Sequence, residues 1–332
     1  MKDPNKMNED RMRLLSPSYL REVLREYGVK PRSSLGQNFL IDPNVLKIIG
    51  KSAGLKSDDI VIEVGAGAGA LTQVLAKKCA RVIAIEVDPG LSNFLKTEFG
   101  REKNVNIIRG DALKISPAKL FAEIPERAKM VSNLPYGIAA TLVLSWLRDH
   151  PWITEYTIMV QREVAQRFIA KPRSKDYSQA TVKINYYSKV EKIASVSSNC
   201  FFPKPRVETA ILRLQRYDFG IRRTRLAPKA KDEKLFDLVV SAGFQQRRKK
   251  FANSLSAHPK INIEQKRIRD ALLEICGNED ARAEDLSVLE FVKLSNLLCE
   301  RDDPLRRRTK PETRNYARVS PGKRKNQIEQ ND

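Results

Sequence analysis

The sequence predicts an α/β protein: an open, doubly wound sheet followed by a small all-helical region. Three observations carry this. Short β-branched runs alternate with helical patterns from Ile60 onward. The first of these runs passes directly into a Gly-x-Gly-x-Gly loop and then a helix, the context that makes such a loop informative. Beyond Arg216 the strand pattern stops, and apolar residues recur at helical spacing as far as Cys299.

Taken in order, residues 1–15 read as a flexible, charged lead. Ser16-Pro17 opens a short helix through Leu20, Val23, Leu24 and Tyr27 that Gly28 stops, so residues 1–30 form an N-terminal extension. Lys30 to Leu40 runs from basic residues into Gly36, the amides Gln37 and Asn38, and Phe39. It is either a linker into a helix from Pro43 to Ala53, capped by Asp42, or a segment that folds over a ligand. Strands are predicted at Ile60–Val64, Val82–Val87, Val105–Arg109, Met130-Val131 and Tyr156–Val160. Helices are predicted at Leu71–Lys78, Ile138–Leu147 and Arg162–Ile169. Val182 to Tyr187 reads as helix and Ile193 to Val196 as strand, while the alternation from Val207 to Leu214 suits an antiparallel edge strand. These elements place an α/β domain at 31–216 and a helical domain at 217–300. Residues 301–332 have few apolar side chains and many arginines and lysines, which predicts a disordered basic tail.

The chain has 332 residues and a formal net charge of +21. That excess points to a polyanionic partner, most simply nucleic acid. No apolar run approaches the roughly 20 residues needed to span a bilayer, and Met1 to Arg13 lacks the apolar core of a signal peptide. The four cysteines, Cys79, Cys200, Cys276 and Cys299, are scattered. This argues against a disulfide framework or a zinc site and for a reducing compartment, hence a cytoplasmic protein. The two histidines, His150 and His258, stand outside any ligand-like cluster and read as surface residues; no metal is expected.

Functional groups gather where strands end, the edge at which open α/β sheets bind ligands. Gly65, Gly67 and Gly69 allow close backbone approach. Glu86 follows Gly65 by 21 residues, the spacing at which an acid meets ribose hydroxyls. This loop fits either NAD or S-adenosylmethionine. Glu63, just before the loop, would repel a pyrophosphate but suits an ammonium, and Asp111 can accept from an adenine amine. Asn133-Leu134-Pro135-Tyr136 combines an amide, a proline-fixed turn and a ring, which suits gripping the edge and face of a base. The balance favours S-adenosylmethionine.

At this point the chain resembles a known family, the small-subunit ribosomal RNA adenine N6,N6-dimethyltransferases, over about residues 16–300. The resemblance rests on six motifs in order. These are Leu35-Gly36-Gln37-Asn38-Phe39-Leu40, Glu63-Val64-Gly65-Ala66-Gly67-Ala68-Gly69, Asn133-Leu134-Pro135-Tyr136, Phe201-Phe202-Pro203-Lys204-Pro205-Arg206-Val207, Phe244 to Leu255, and Arg282 to Ser287. It implies a Rossmann-like class I methyltransferase sheet with a small all-helical C-terminal domain, acting as a monomer. It implies contacts to S-adenosylmethionine from Asn38, Leu40, Gly65, Glu86, Asp111 and Asn133, with help from Gln37. Asn133 and the Leu134 carbonyl would accept the hydrogens of the target amine, with the adenine held between Tyr136 and Phe201. The expected RNA-binding residues are Arg222, Arg223, Arg225, Arg247, Arg248, Lys249 and Lys250. The implied reaction methylates two adjacent adenosines near the 3′ end of small-subunit ribosomal RNA. The competing readings are a large-subunit adenine methyltransferase of the macrolide-resistance type and a non-catalytic assembly factor on the same fold. Ser33, Gly137 and the long basic tail depart from the family pattern.

Overall fold

The computed structural model describes residues 13–30, 37–116, 127–217, 229–246 and 249–300. The expected disordered tail and Arg222, Arg223, Arg225, Arg247 and Arg248 lie outside the described residues. The sheet is built from seven strands: Ile60–Val64 (β2), Arg81–Glu86 (β3), Val105–Arg109 (β4), Ala128–Asn133 (β5), Ile153–Gln161 (β6), Ser188–Val196 (β7) and Thr209–Arg216 (β9). Their order is β4-β3-β2-β5-β6-β9-β7. The first five run parallel, and β9 lies antiparallel to both β6 and β7. The inner parallel strands β2, β3, β5 and β6 are largely buried on both faces because helices cover both. Ile62, Ile83, Met130 and Ile158 are all fully buried.

The chain crosses from β3-β4 on one side of β2 to β5-β6 on the other. That reversal opens a crevice between the carboxyl ends of β2 and β5, where doubly wound sheets bind ligands. A direct bond ties these two strands near the crevice, the Val64 amide donating to the Ser132 hydroxyl at 2.9 Å. A separate two-stranded ribbon pairs Phe39–Leu40 (β1) with Phe201–Phe202 (β8), in register Phe39 to Phe202 and Leu40 to Phe201. The ribbon straps the segment before the first sheet strand to the loop before the last.

Among the described residues, the helices of the α/β part are Pro17–Glu26 (α1), Pro43–Ser52 (α2), Ala70–Ala76 (α3), Pro89–Glu98 (α4), Ala139–Asp149 (α5), Arg162–Phe168 (α6) and Gln179–Tyr187 (α7). Asp42 caps α2 as expected, accepting from the amides of Asn44 and Val45. Four helices follow: Glu233–Gln245 (α8), Phe251–Ser256 (α9), Gln265–Cys276 (α10) and Val288–Glu300 (α11). Their core is continuous with that of the sheet, since Phe236, Phe251 and Phe291 belong to the same buried cluster as Tyr156 and Ile158. Polar ties cross the same boundary. Tyr177 donates to the Leu286 carbonyl at 2.7 Å, and Lys183 meets Asp237 and the Ser241 hydroxyl.

Three expectations need correction. The strand from Thr209 is not at the edge: β7 lies outside it, and the alternation arose because Arg213 pairs with Glu155 across the ladder at 2.9 Å. His150 is not a surface residue but is 2% exposed, stacked on Trp152 and edge-on to Trp146. Burial there pushes its pKa down. Within the supposed flexible lead, Leu14 is 1% exposed in a short 3-10 turn held by an Arg13–Glu98 ion pair.

Candidate active site

Two cavities meet at the carboxyl edge of the sheet. The first, about 210 Å³, lies against the glycine loop. All seven residues expected to bind a cofactor line it: Gln37, Asn38, Leu40, Gly65, Glu86, Asp111 and Asn133. The second, about 410 Å³, is lined by Tyr136, Gln161 and the loop from Pro203 to Val207. Gln37 and Asn38 line both cavities and so form the partition between them.

The glycine loop takes its shape from left-handed backbone. Gly65 has φ +75° and Gly67 has φ +58°, conformations that side chains with a Cβ rarely adopt. A Cβ at Gly65 would lie 3.0 Å from the ring of Pro135, and one at Gly67 would press on Phe39. The loop can therefore pack flat against both the Pro135 turn and the β1 ribbon. Two acids stand at its ends. Glu86 is 5% exposed and accepts from the amides of Gly67 and Asp88, both at 2.9 Å. Burial still holds its pKa above the usual carboxylate value. Each carboxylate oxygen keeps a second lone pair, enough to accept from a pair of vicinal hydroxyls. Glu63 is 1% exposed, and among the described residues it accepts one hydrogen bond, from the Thr72 hydroxyl at 2.6 Å, and pairs with no cation. Burial pushes its pKa up to about 8.

Asn133 ends β5 beside the partition. Its Nδ2 donates to the Asn38 carbonyl at 3.2 Å. That bond fixes which way the amide points and leaves Oδ1 buried with no partner among the described residues. A buried, unpartnered acceptor is costly unless a ligand satisfies it. Three residues later, the Tyr136 hydroxyl meets the buried Thr209 hydroxyl at 3.0 Å. Burial raises the Tyr136 pKa, so the phenol stays neutral.

Of the two rings expected to hold a base, Tyr136 lines the second cavity and Phe201 does not. It is 3% exposed, packs with Leu40, Val196 and Ile211, and lines neither cavity. The pairing of β8 with β1 turns its ring into the core. Leu134 is likewise buried by its side chain, and its amide donates to the Met159 carbonyl at 3.0 Å. Of the expected RNA-binding residues, Lys249 and Lys250 are described and exposed. Lys250 is engaged in an ion pair with Asp280.

Sequence reasoning missed Leu14, Val87 and Ile138 in the first cavity and Gln161 in the second. Val87 and Gln161 follow the strand-end rule that located Glu86 and Asn133, so position alone could have found them. Among the described residues no cluster of three or more His, Cys, Asp or Glu side chains could hold a metal. No described helix is long and apolar enough to cross a membrane.

The chain is similar to known proteins over most of its length. It is 37% identical over 290 residues to the ribosomal RNA small subunit methyltransferase A of Geobacillus thermodenitrificans, covering 86% of this chain and 97% of that protein. It is 36% identical over 293 residues to the protein of the same name from Alkaliphilus oremlandii, covering 87% and 99%. Among solved structures, a dimethyladenosine transferase from Plasmodium falciparum matches with a TM-score of 0.63 at 25% identity, covering 77% of this chain and 95% of that one. The 23S rRNA methyltransferase ErmE matches with a TM-score of 0.58 at 28% identity, covering 79% and 100%. The model of the ribosomal RNA adenine dimethylase family matches residues 28–300. With that match spanning both the sheet and the helices, the chain belongs to the ribosomal RNA adenine dimethylase family.

Proposed function

We propose that this protein transfers methyl groups from S-adenosylmethionine to N6 of two adjacent adenosines near the 3′ end of small-subunit ribosomal RNA. It does so as a cytoplasmic monomer during ribosome biogenesis. The observation that carries the reading is the buried, unpartnered Oδ1 of Asn133 beside the partition between two cavities. One cavity has the glycine loop and acids of a cofactor site, and the other has the ring of a base site.

The residues of the first cavity fit S-adenosylmethionine. The loop from Gly65 would let the backbone approach, Glu86 would accept from the ribose hydroxyls, Asp111 would accept from the adenine amine, and Glu63 would balance the cofactor's positive charge. When bound, S-adenosylmethionine supplies an electrophilic methyl on a sulfonium leaving group. The protein's task is to orient the acceptor. An adenine amine is a weak nucleophile because its lone pair is delocalised into the ring. Asn133 Oδ1 and the Leu134 carbonyl each accept one N6 hydrogen and draw the nitrogen towards a tetrahedral shape, with its lone pair aimed at the first cavity. This is catalysis by position and electrostatics, and no strong base is required. Tyr136 offers a stacking face worth about 1–3 kcal/mol, against a cost of a few kcal/mol for unstacking the base from the RNA. Gly137 lines the cofactor cavity without a side chain and leaves room for the first methyl during the second transfer. The exposed Lys249 and the basic residues around it would contact phosphates.

Gly65→Ala tests the cofactor cavity. The alanine would be strained at φ +75° and would crowd Pro135. The expected result is about a tenfold loss of S-adenosylhomocysteine affinity by calorimetry, in line with the cost of left-handed backbone. Unchanged binding would place the cofactor elsewhere.

The relatives' shared name and their coverage support the small-subunit reading over the large-subunit one. The deciding experiment transfers labelled methyl to unmethylated small subunits, to unmethylated large-subunit RNA, or to no RNA, followed by nucleoside analysis. N6,N6-dimethyladenosine from small subunits alone is expected. Label in large-subunit RNA would overturn the substrate, and no label despite bound cofactor would make the protein an assembly factor.

A further inference from the structure

The polar side chains of the acceptor cavity differ in what they can offer a base. Tyr136 commits its hydroxyl to Thr209 and presents its ring face. Lys204 and Arg206 are exposed and only donate. Gln37 and Asn38 also line the cofactor cavity. Gln161 lines the acceptor cavity alone, and its amide carries both a donor and an acceptor. Its backbone is held firmly. It is the last residue of β6, it pairs with Thr209 in the ladder, and it forms the N-cap position of α6. Among the described residues its side-chain amide has no hydrogen-bond partner.

A base stacked on Tyr136 is held in its own plane at the N6 end alone, by Asn133 and the Leu134 carbonyl. Once the first methyl replaces an N6 hydrogen, a single bond is left there, about which the base can pivot. Any such pivot swings the amine's lone pair off line. A second in-plane contact removes that freedom. With the N6 hydrogens given to Asn133 and Leu134, the atoms flanking N6 are N1 and N7, both acceptors without a hydrogen. We infer that Gln161 is a specificity-determining residue whose side-chain amide donates to one of these flanking ring nitrogens and so fixes the adenine's rotation. The inference rests on the methyl-transfer reading above. It also bears on selectivity, because guanine held in the same rotation would set its O6 against the Asn133 acceptor.

The test replaces single atoms on each side of the contact. Small subunits are assembled with RNA carrying adenosine, 1-deazaadenosine or 7-deazaadenosine at the target position. kcat/KM is then measured with the intact enzyme and with Gln161→Ala. The expected result is that one deaza analogue costs the intact enzyme roughly 5- to 150-fold, the range for a good base contact. Gln161→Ala should lose a similar factor on adenosine and show no further loss on that analogue. Gln161→Glu keeps the shape but can only accept, so it should lose at least as much; it also covers the case of a poorly folding alanine variant. S-adenosylhomocysteine affinity and melting temperature should match the intact enzyme in both variants. Equal analogue costs in the intact enzyme and the variants, or no cost in the intact enzyme, would overturn the inference. Failure of the intact enzyme to methylate the adenosine subunits would overturn the functional reading instead.

Discussion

Asn133→Ala is expected to lower methyl transfer by at least about a thousandfold, the upper end of what one preorganised polar group contributes to a transition state, while S-adenosylhomocysteine affinity stays within about tenfold. The asymmetry follows from where the two polar ends of this amide point. Nδ2 is already engaged by the Asn38 carbonyl, so the cofactor side of the site loses little besides one neutral hydrogen bond. Among the described residues Oδ1 has no partner, so its loss falls on the acceptor. Asn133→Asp sharpens the test. It keeps the size and one acceptor, but it sets a second acceptor against the Asn38 carbonyl, and that repulsion turns the carboxylate away from its post. The aspartate variant should therefore be nearly as inactive as the alanine variant. Single-turnover transfer with saturating cofactor separates chemistry from binding. Full activity in Asn133→Ala would refute the orienting role.

How much of this was legible before the structure depended on the range of the interaction. The strand Ile60–Val64 was readable to the residue because a buried parallel strand is a nearly continuous apolar run bounded by turn residues, and the edge strand Val105–Arg109 because its β-branched residues end at Gly110-Asp111. The cofactor cavity was readable for a related reason. Its residues sit at strand ends, and strand ends are marked locally by glycine, acid or amide. Phe201 was not readable in the same way. Its neighbour across the ribbon is Leu40, far away in the chain, and nothing near Phe201 announces that this pairing turns the ring inward. His150 failed for the opposite reason. Its partners Trp146 and Trp152 are close in sequence, and a histidine at the end of an amphipathic helix with a tryptophan one turn earlier could have been read as buried. Gln161 sits at a strand end like the others, but a lone glutamine between a strand and a helix carries no motif.

Glu63→Gln is expected to weaken cofactor binding by about tenfold to a hundredfold at pH 8, the scale of a charge-assisted contact, and to change its pH dependence. A buried carboxylate whose pKa is raised to about 8, from an ordinary value of 4.5, holds its proton at neutral pH in the free enzyme. Desolvation is the main cause, the nearby Glu86 adds to it, and the Thr72 hydroxyl opposes both. The sign of the stability effect follows. Between pH 4.5 and about 8 the folded state binds more protons than the unfolded chain, so this group's contribution to stability declines as pH rises through that window and is lowest above it. Glutamine removes the titration, so the free Glu63→Gln protein should gain melting temperature over the intact protein as pH rises from 5 to 8. Cofactor binding works in the other direction. A cation beside Glu63 favours its ionised form, so binding at pH 7 should release close to one proton from the intact enzyme and none from Glu63→Gln. Calorimetry in two buffers of different ionisation enthalpy reads that proton directly. S-adenosylhomocysteine carries the ammonium without the sulfonium, so comparing its proton release with that of S-adenosylmethionine tells which positive charge Glu63 meets. Equal proton release from the intact enzyme and the variant would mean that Glu63 keeps its proton throughout and serves the cavity as a hydrogen-bonded wall rather than as a counter-charge.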